Sequence, residues 1–262
     1  MKVHIGELVP GPAERALVIG TSRAGKSSLM DFGVRHVQTT RPSCMQLLVD
    51  TKPRFRAEQE PYMRGKMRRS AAHNYQGWSK GPVVPNSVVM DIHSDNPFAG
   101  MWKNPGEVVI MQSGEAEDWR TMLRLLKAFV SANIGDRERR IIVDETLDFY
   151  QRNTWGIDSR NDVLYRAARA GGERNIGIEL GAHRVQGLPI LILNMSTRVT
   201  LFHLKEEEDM KYLRRAGIYD ERSPEGDYVF KQWTTRPGGT TSKPFTGRVT
   251  YPDSYLKQLA TT

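Results

Sequence analysis

The turn at residues 20–27, Gly-Thr-Ser-Arg-Ala-Gly-Lys-Ser, limits the possible folds of this chain more than any other segment. It follows a short apolar run at 15–20, whose composition predicts a buried strand. After the turn, apolar residues recur at helical spacing over 27–37. A strand, a glycine-bounded turn ending in Lys-Ser and a helix together form the pattern of a phosphate-binding loop. The sequence therefore predicts an α/β fold with a phosphate site where its first long helix begins.

Each residue type in this turn has a chemical reason to be there. The glycines let backbone amides turn inward around a triphosphate, and Lys26 would reach its β- and γ-phosphates. The Ser27 hydroxyl would complete the ligand shell of Mg²⁺, so a nucleoside triphosphate and Mg²⁺ are the expected ligands. The residues expected to bind the nucleotide are Gly20, Thr21, Ser22, Arg23, Ala24, Gly25, Lys26, Ser27 and Ser28.

A second apolar run, 139–143, ends on the adjacent acids Asp144 and Glu145. Doubly wound sheets bind ligands at the carboxyl ends of their strands, so Asp144 is expected to hold Mg²⁺ and support the nucleotide. Because neighbouring strand residues alternate sides, Glu145 is expected to point elsewhere and to polarise the attacking water. The adjacent acid indicates the additional-strand, catalytic-glutamate class of ATPases, and no Asn-Lys-x-Asp guanine-reading motif occurs. ATP is therefore the predicted nucleotide, and a three-layer P-loop NTPase the predicted fold.

Short apolar runs alternate with helical segments along most of the chain, which favours a mostly parallel sheet. The proline-rich region 53–105 and the Thr/Gly/Pro-rich tail lack this rhythm. We expect an ATPase core at 1–216 that contains 53–105 as a long basic insertion, and a C-terminal extension, or arm, at 217–262. Further strands are predicted at 45–50, 107–112, 176–182 and 199–204, and further helices at 116–133, 158–174 and 205–216.

Composition narrows the classes of function. The 38 lysines and arginines exceed the 30 acids, giving a net charge of +8, which favours a polyanionic partner such as nucleic acid. A single cysteine, Cys44, excludes a disulfide framework and a cysteine-based zinc site. No apolar run is long enough to span a membrane, and residues 1–8 lack the apolar stretch of a signal peptide. A cytoplasmic protein is expected.

Residues 53–80 combine positive charge with aromatic side chains. Seven lysines and arginines stand there against two glutamates, with Phe55, Tyr62, Tyr75 and Trp78 among them. Cations can follow a phosphate backbone while rings stack on bases, without regard to sequence. The alternative is a basic surface loop whose aromatic side chains pack onto the core. The residues expected to contact DNA are Lys52, Arg54, Arg56, Arg64, Lys66, Arg68 and Arg69.

Over residues 16–204 the sequence resembles the FtsK/HerA superfamily of DNA-pumping ATPases, especially the small genome-packaging ATPases of viruses and phages. The more specific segments are 47–52 (LLVDTK), 166–189 (with RAARAGGERNIG and AHRVQGLP) and 194–204 (NMSTRVTLFHL). The family usually ends its sensor strand in Thr/Ser-Gln, whereas this chain has Ala182-His183 and, three residues on, Gln186. The resemblance therefore leaves either His183 or Gln186 to sense the γ-phosphate.

The resemblance further implies a homo-oligomeric ring of five or six subunits that translocates double-stranded DNA, with ATP bound between neighbours. An arginine would reach across to the transferring phosphoryl group, and Arg174 is the first candidate and Arg169 the second. A capsid, portal or membrane protein is implied as docking partner, and the host cytoplasm or the capsid vertex as the location. Two alternatives are a ring ATPase powering protein secretion or pilus assembly, and a slow, nucleotide-gated scaffold protein.

Overall fold

Eleven strands form one sheet in the computed structural model, which describes residues 2–21, 24–51, 56–59, 83–112, 118–152, 163–217, 222–235, 242–253 and 255. The strands are β1 (Lys2–His4), β2 (Arg15–Ile19), β3 (Met45–Asp50), β4 (Arg56–Gln59), β5 (Val83–Val89), β6 (Val108–Gln112), β7 (Arg139–Val143), β8 (Ile176–Ala182), β9 (Arg198–Leu201), β10 (Val229–Thr234) and β11 (Phe245–Thr250). Their order across the sheet is β1-β11-β10-β9-β2-β8-β7-β3-β6-β5-β4. Neighbours are parallel from β9 to β4, whereas β10 is antiparallel to β9 and β11.

Helices pack on both faces of the sheet. They are α1 (Lys26–Thr40), α2 (Trp119–Ser131), α3 (Thr146–Arg152), α4 (Val163–Arg174), α5 (Ile190–Met195) and α6 (Glu207–Arg215), with a 3₁₀ turn at Ile5–Leu8. In β2, Leu17 and Ile19 join the core shared with α2 and α4, whereas Val18 joins the core shared with α1. Burial on both faces explains why the central strands read as continuous apolar runs. The predicted three-layer, mostly parallel α/β fold is confirmed.

Two regions predicted to be irregular contribute strands. The first, 53–105, contains β5, which the sequence does not predict because Pro85 interrupts its apolar run. Within this strand Asn86 has a positive φ of 46°. The tail contains β10 and β11, and β11 pairs in parallel with β1, with Lys2 opposite Arg248. The boundary at residue 216 stays a prediction, although the described strands beyond it continue the sheet of the core.

The other predicted elements lie within a few residues of the observed ones. Residues 158–162 of the helix predicted at 158–174 lie outside the described residues. The strand predicted at 199–204 runs from Arg198 to Leu201. Among the described helices, none has both the length and the apolarity that crossing a membrane requires.

Cys44 offers a direct test of core packing. Its side chain is buried just before β3, and burial raises the pKa of its thiol to about 12. The thiolate is the reactive form, so at about pH 8 alkylation should be roughly 10³-fold slower in the folded protein than in the unfolded chain. Timed labelling with iodoacetamide, with and without denaturant, measures this ratio. Equal rates would contradict the packing described for Cys44.

Candidate active site

The carboxyl ends of three neighbouring parallel strands, β2, β8 and β7, lie side by side, and a predicted site residue follows each strand. Gly20 comes after β2, His183 after β8 and Asp144 after β7. The backbone N–H of Gly20 donates to the carbonyl oxygen of Ala182 over 3.0 Å. A side chain at Gly181 would collide with the Asp144 carbonyl oxygen, so glycine permits the close approach of the two chains here. The sheet therefore brings the turn at 20–27, which is predicted to bind phosphate and is called the phosphate loop below, close to the acidic pair.

Lys26 lies against both carboxylates of the acidic pair. Its Nζ is 3.8 Å from Asp144 Oδ1 and 4.0 Å from Glu145 Oε2, and it donates to the Asp144 carbonyl oxygen over 3.2 Å. Lys26 is 4 % exposed and the two acids are fully buried. Buried charges require partners, so the three side chains depend on one another. Two formal negative charges against one positive charge make this donor set suitable for a further cation such as Mg²⁺.

The Glu145 carboxylate lies beside Lys26, as the Asp144 carboxylate does, so the expectation that the two acids point in different directions was wrong. The strand β7 ends at Val143, and the alternation of a strand does not extend to the two residues after it. Glu145 instead leads into α3, where its carbonyl oxygen accepts from the N–H of Phe149 over 3.3 Å. Both carboxylates therefore lie beside Lys26.

His183 and Thr51 hold Glu145 in place. His183 Nδ1 lies 2.7 Å from Glu145 Oε2, and the backbone N–H of His183 donates to Glu145 Oε1 over 3.4 Å. The buried hydroxyl of Thr51, just after β3, donates to the Glu145 carbonyl oxygen over 3.4 Å. His183, after β8, thus orients the carboxylate of Glu145, whereas Thr51, after β3, holds its backbone.

The phosphate loop is closed by the chain that follows β9. Thr21 donates to the His203 carbonyl oxygen from its backbone N–H over 2.9 Å and from its hydroxyl over 3.1 Å. A Cβ at Gly20 would lie 2.8 Å from Phe202 Cβ, and Gly25 has a φ of 114° that favours glycine. Both glycines are therefore needed for the shape of the loop.

The other residues expected to bind nucleotide occupy the loop and the start of α1. Ala24 is buried, Ser27 is exposed in the first turn of α1, and Ser28 is half-buried. The first amides of a helix have no partner within it, so this end of α1 suits phosphate oxygens. Ser22 and Arg23 lie outside the described residues.

Gln186 and the two candidate arginines lie apart from the acidic pair. Gln186 is exposed; its backbone N–H donates to Asp209 Oδ1 over 2.8 Å and its side-chain oxygen accepts from Arg184 over 3.3 Å. Arg174 ends α4 just before β8, at the opposite edge of the sheet, where its Nη1 donates to the Val130 carbonyl oxygen over 3.3 Å. Arg169 is exposed on α4. Because that helix runs antiparallel to β8, Arg169 lies about 7.5 Å closer than Arg174 to the strand ends that carry the acidic pair.

Most of the residues expected to contact DNA lie outside the described residues. Arg56 is described as the first backbone position of β4, at the outer edge of the sheet. The remaining six are Lys52, Arg54, Arg64, Lys66, Arg68 and Arg69, and their role as DNA contacts stays a prediction.

Sequence reasoning missed three residues that shape the site. Thr51 supports Glu145, Phe202 packs on Gly20, and the ring of Tyr228 lies against Gly25. Thr51 could have been predicted from the sequence, because it directly follows the predicted strand at 45–50, which lies next to β7 in the sheet. Phe202 and Tyr228 approach the loop from distant parts of the sequence, and no local pattern marks them.

No protein-family model matches the sequence, and no curated protein matches it. Among solved structures, B204, the DNA-packaging ATPase from Sulfolobus turreted icosahedral virus, is similar with a TM-score of 0.53 and 14 % identity over 92 % of this chain and 100 % of that one. The genome packaging NTPase B204 from Sulfolobus turreted icosahedral virus 2, in complex with ATPγS, gives a TM-score of 0.53 at 12 % identity over 91 % of this chain and 98 % of that one. In complex with AMPPCP it gives 0.53 at 14 % identity over 90 % and 98 %. The chain therefore shares its three-layer α/β fold with the B204 genome-packaging ATPases, which supports, at the level of fold, the resemblance drawn from its sequence.

Proposed function

We propose that this protein is an ATPase that moves double-stranded DNA as a ring-forming subunit of a viral genome-packaging motor. The observation that carries the proposal is the buried cluster in which Lys26 of the phosphate loop meets Asp144 and Glu145. The fold shared with the B204 packaging ATPases supports it, since B204 has been solved with ATPγS and AMPPCP. The net charge of +8 supports a nucleic-acid partner.

Each residue of the cluster has a distinct role in hydrolysis. When ATP binds, the Lys26 ammonium would move from the two carboxylates to the β- and γ-phosphates. Glu145 would accept a proton from the water that attacks the γ-phosphate. The Ser27 hydroxyl and the Asp144 carboxylate would hold Mg²⁺, which neutralises charge on the phosphates. His183 touches Glu145 and Gln186 does not, so we favour His183 as the residue that responds to the γ-phosphate.

Of the two candidate arginine fingers, we favour Arg169. An arginine that stabilises a neighbour's γ-phosphate must be exposed and must reach beyond its own subunit. Arg169 is exposed on the outer side of α4, whereas the Arg174 side chain is engaged with the end of α2 at the opposite edge of the sheet. The proposed ring of five or six subunits would place such an arginine at each subunit boundary.

The decisive experiment measures ATP hydrolysis with and without duplex DNA, alongside the mass of the assembly in solution. We expect duplex DNA to raise the rate, and we expect the Lys26→Ala variant to show no activity under either condition because it lacks the phosphate-binding ammonium. If duplex DNA left the wild-type rate of ATP hydrolysis unchanged, the result would favour the secretion-type ATPase. Very slow turnover at saturating DNA, with assembly that depends on nucleotide, would favour the scaffold protein.

Binding to DNA should depend steeply on salt. If six or more of the predicted basic residues contact phosphates, affinity should fall by about 10³-fold or more between roughly 50 and 200 mM salt, equally for unrelated sequences. Filter binding across a salt series measures the slope, and Arg68→Gln with Arg69→Gln should make it shallower. The matched change Lys211→Gln, on the exposed surface of α6, should leave it unchanged. An unaltered slope in the first variant would contradict the assignment of 53–80 to DNA.

A further inference from the structure

Tyr228 is an exposed aromatic residue beside the phosphate loop. It lies just before β10, and it and Ile190 are the large apolar side chains that stand exposed among the described residues, at 39 % and 46 %. A Cβ placed on Gly25 would lie 2.8 Å from Tyr228 Cδ1, so the ring lies on the last glycine of the loop. The backbone of Tyr228 is left-handed, with a φ of 57°. A tyrosine in this conformation is uncommon, and it persists only where its surroundings hold it.

A column of aromatic rings holds Tyr228 in position relative to α1. Its ring meets Tyr251 edge-on at 5.5 Å, and Tyr251 stacks on Tyr255 at 5.4 Å. The Tyr255 hydroxyl donates to Asp31 Oδ2 over 2.7 Å, and burial raises the pKa of that hydroxyl, which keeps it protonated as the donor. Asp31 belongs to α1, the helix that begins at the phosphate loop. The exposed part of the Tyr228 ring is therefore fixed beside the loop.

The sheet order places Tyr228 on the side where the base of a bound nucleotide would lie. The strand β7, which carries Asp144 and Glu145, lies two strands from β2 in one direction, and β10 lies two strands from β2 in the other. Each displacement is about 10 Å at the usual strand spacing. A triphosphate whose last phosphate faces Glu145 would extend its base away from β7, toward β10.

We propose that Tyr228 is the base-stacking residue of the nucleotide site and that its exposed ring packs on the purine of ATP. This inference rests on the proposed ATPase function. The ring offers a flat apolar surface of the kind on which bases stack, and stacking does not read the hydrogen-bonding edge of the base. Tyr228 thus contributes affinity for the base, whereas Lys26 and the loop contribute affinity for the phosphates.

The test separates affinity for the base from affinity for the phosphates. Dissociation constants are measured in Mg²⁺ for ATP, ribose 5-triphosphate and inorganic triphosphate, using wild type, Tyr228→Ala and Tyr228→Phe. We expect Tyr228→Ala to weaken ATP binding by about 5- to 150-fold, the range typical of losing one stacked base, with both base-free ligands unaffected. Tyr228→Phe keeps the ring and should bind ATP as wild type does. The matched control Ile190→Ala removes the other large apolar side chain that is exposed among the described residues, and it should change none of the three constants.

Each contrary outcome has a clear meaning. An equal loss of affinity for all three ligands in Tyr228→Ala would make Tyr228 a support of the loop and overturn base stacking, as would unchanged ATP affinity. Tyr228→Gly, which removes the strain of the left-handed backbone, repeats the test if the alanine variant folds poorly. If wild type bound neither ATP nor inorganic triphosphate, the ATPase function itself would fail, which distinguishes that failure from the failure of base stacking.

Discussion

Replacing Glu145 by glutamine should lower the rate of ATP hydrolysis by about 10²- to 10⁴-fold, the range expected for loss of a general base, while ATP binding is retained. Glutamine has nearly the shape of glutamate and keeps an oxygen that can accept from the N–H of His183. It cannot accept a proton from water, so chemistry is lost and binding is not. Single-turnover hydrolysis and equilibrium binding of ATP, measured on the same preparation, separate the two effects.

Glu138→Gln is the matched control for this experiment. Glu138 immediately precedes β7 at the opposite end from Glu145, where its carboxylate pairs with Arg41. The change is chemically identical, but it lies away from the acidic pair, so hydrolysis should continue at the wild-type rate. A Glu145→Gln enzyme that hydrolysed ATP as fast as the Glu138→Gln enzyme would remove Glu145 from the proposed mechanism.

The parts of the site that could be predicted from sequence are those in which strand, turn and chemistry are contiguous. The segment 15–27 contains a complete strand, glycine turn and helix start, and 139–145 contains a strand and its terminal acids. The structure brings Lys26 to within 4.0 Å of both acids, as parallel-strand geometry leads one to expect. The direction of Glu145 was mispredicted although the end of β7 was predicted correctly, because the alternation of a strand does not continue into the residues that lead from Val143 to the next helix.

The parts that could not be predicted depend on contacts between distant segments. Thr21 and His203 are 182 residues apart, yet their hydrogen bonds close the phosphate loop. The strand β11 was not predicted from the sequence, because it lies in a polar tail and pairs with β1 at the other end of the chain. Periodicity reports how a segment is buried, but it does not report which segment covers it.

A buried ion pair between β7 and β8 packs against α1, and removing only one of its partners should cost much of the stability of the fold. Arg140 on β7 pairs with Glu179 on β8, and Arg140 also donates to the Gly33 carbonyl oxygen of α1 and to Gln46 Oε1, both over 2.9 Å. Arg140 is 3 % exposed and Glu179 is 1 % exposed. Glu179→Ala would leave a buried guanidinium without its counter-ion, so the free energy of unfolding should fall by about 3–5 kcal/mol. Denaturant unfolding followed by circular dichroism measures the loss.

The exposed pair of Lys211 and Glu208 on α6 is the control, and Glu208→Ala should hardly move the unfolding midpoint because water screens such charges. Joint replacement, Arg140→Met with Glu179→Leu, should recover most of the stability lost by Glu179→Ala, because an apolar pair of similar volume leaves no buried charge. A double variant as unstable as the single one would mean that the hydrogen bonds from Arg140 to Gly33 and Gln46, rather than the ion pair, hold α1 on the sheet. Since α1 begins at Lys26, that outcome would add Arg140 to the residues that support the phosphate loop.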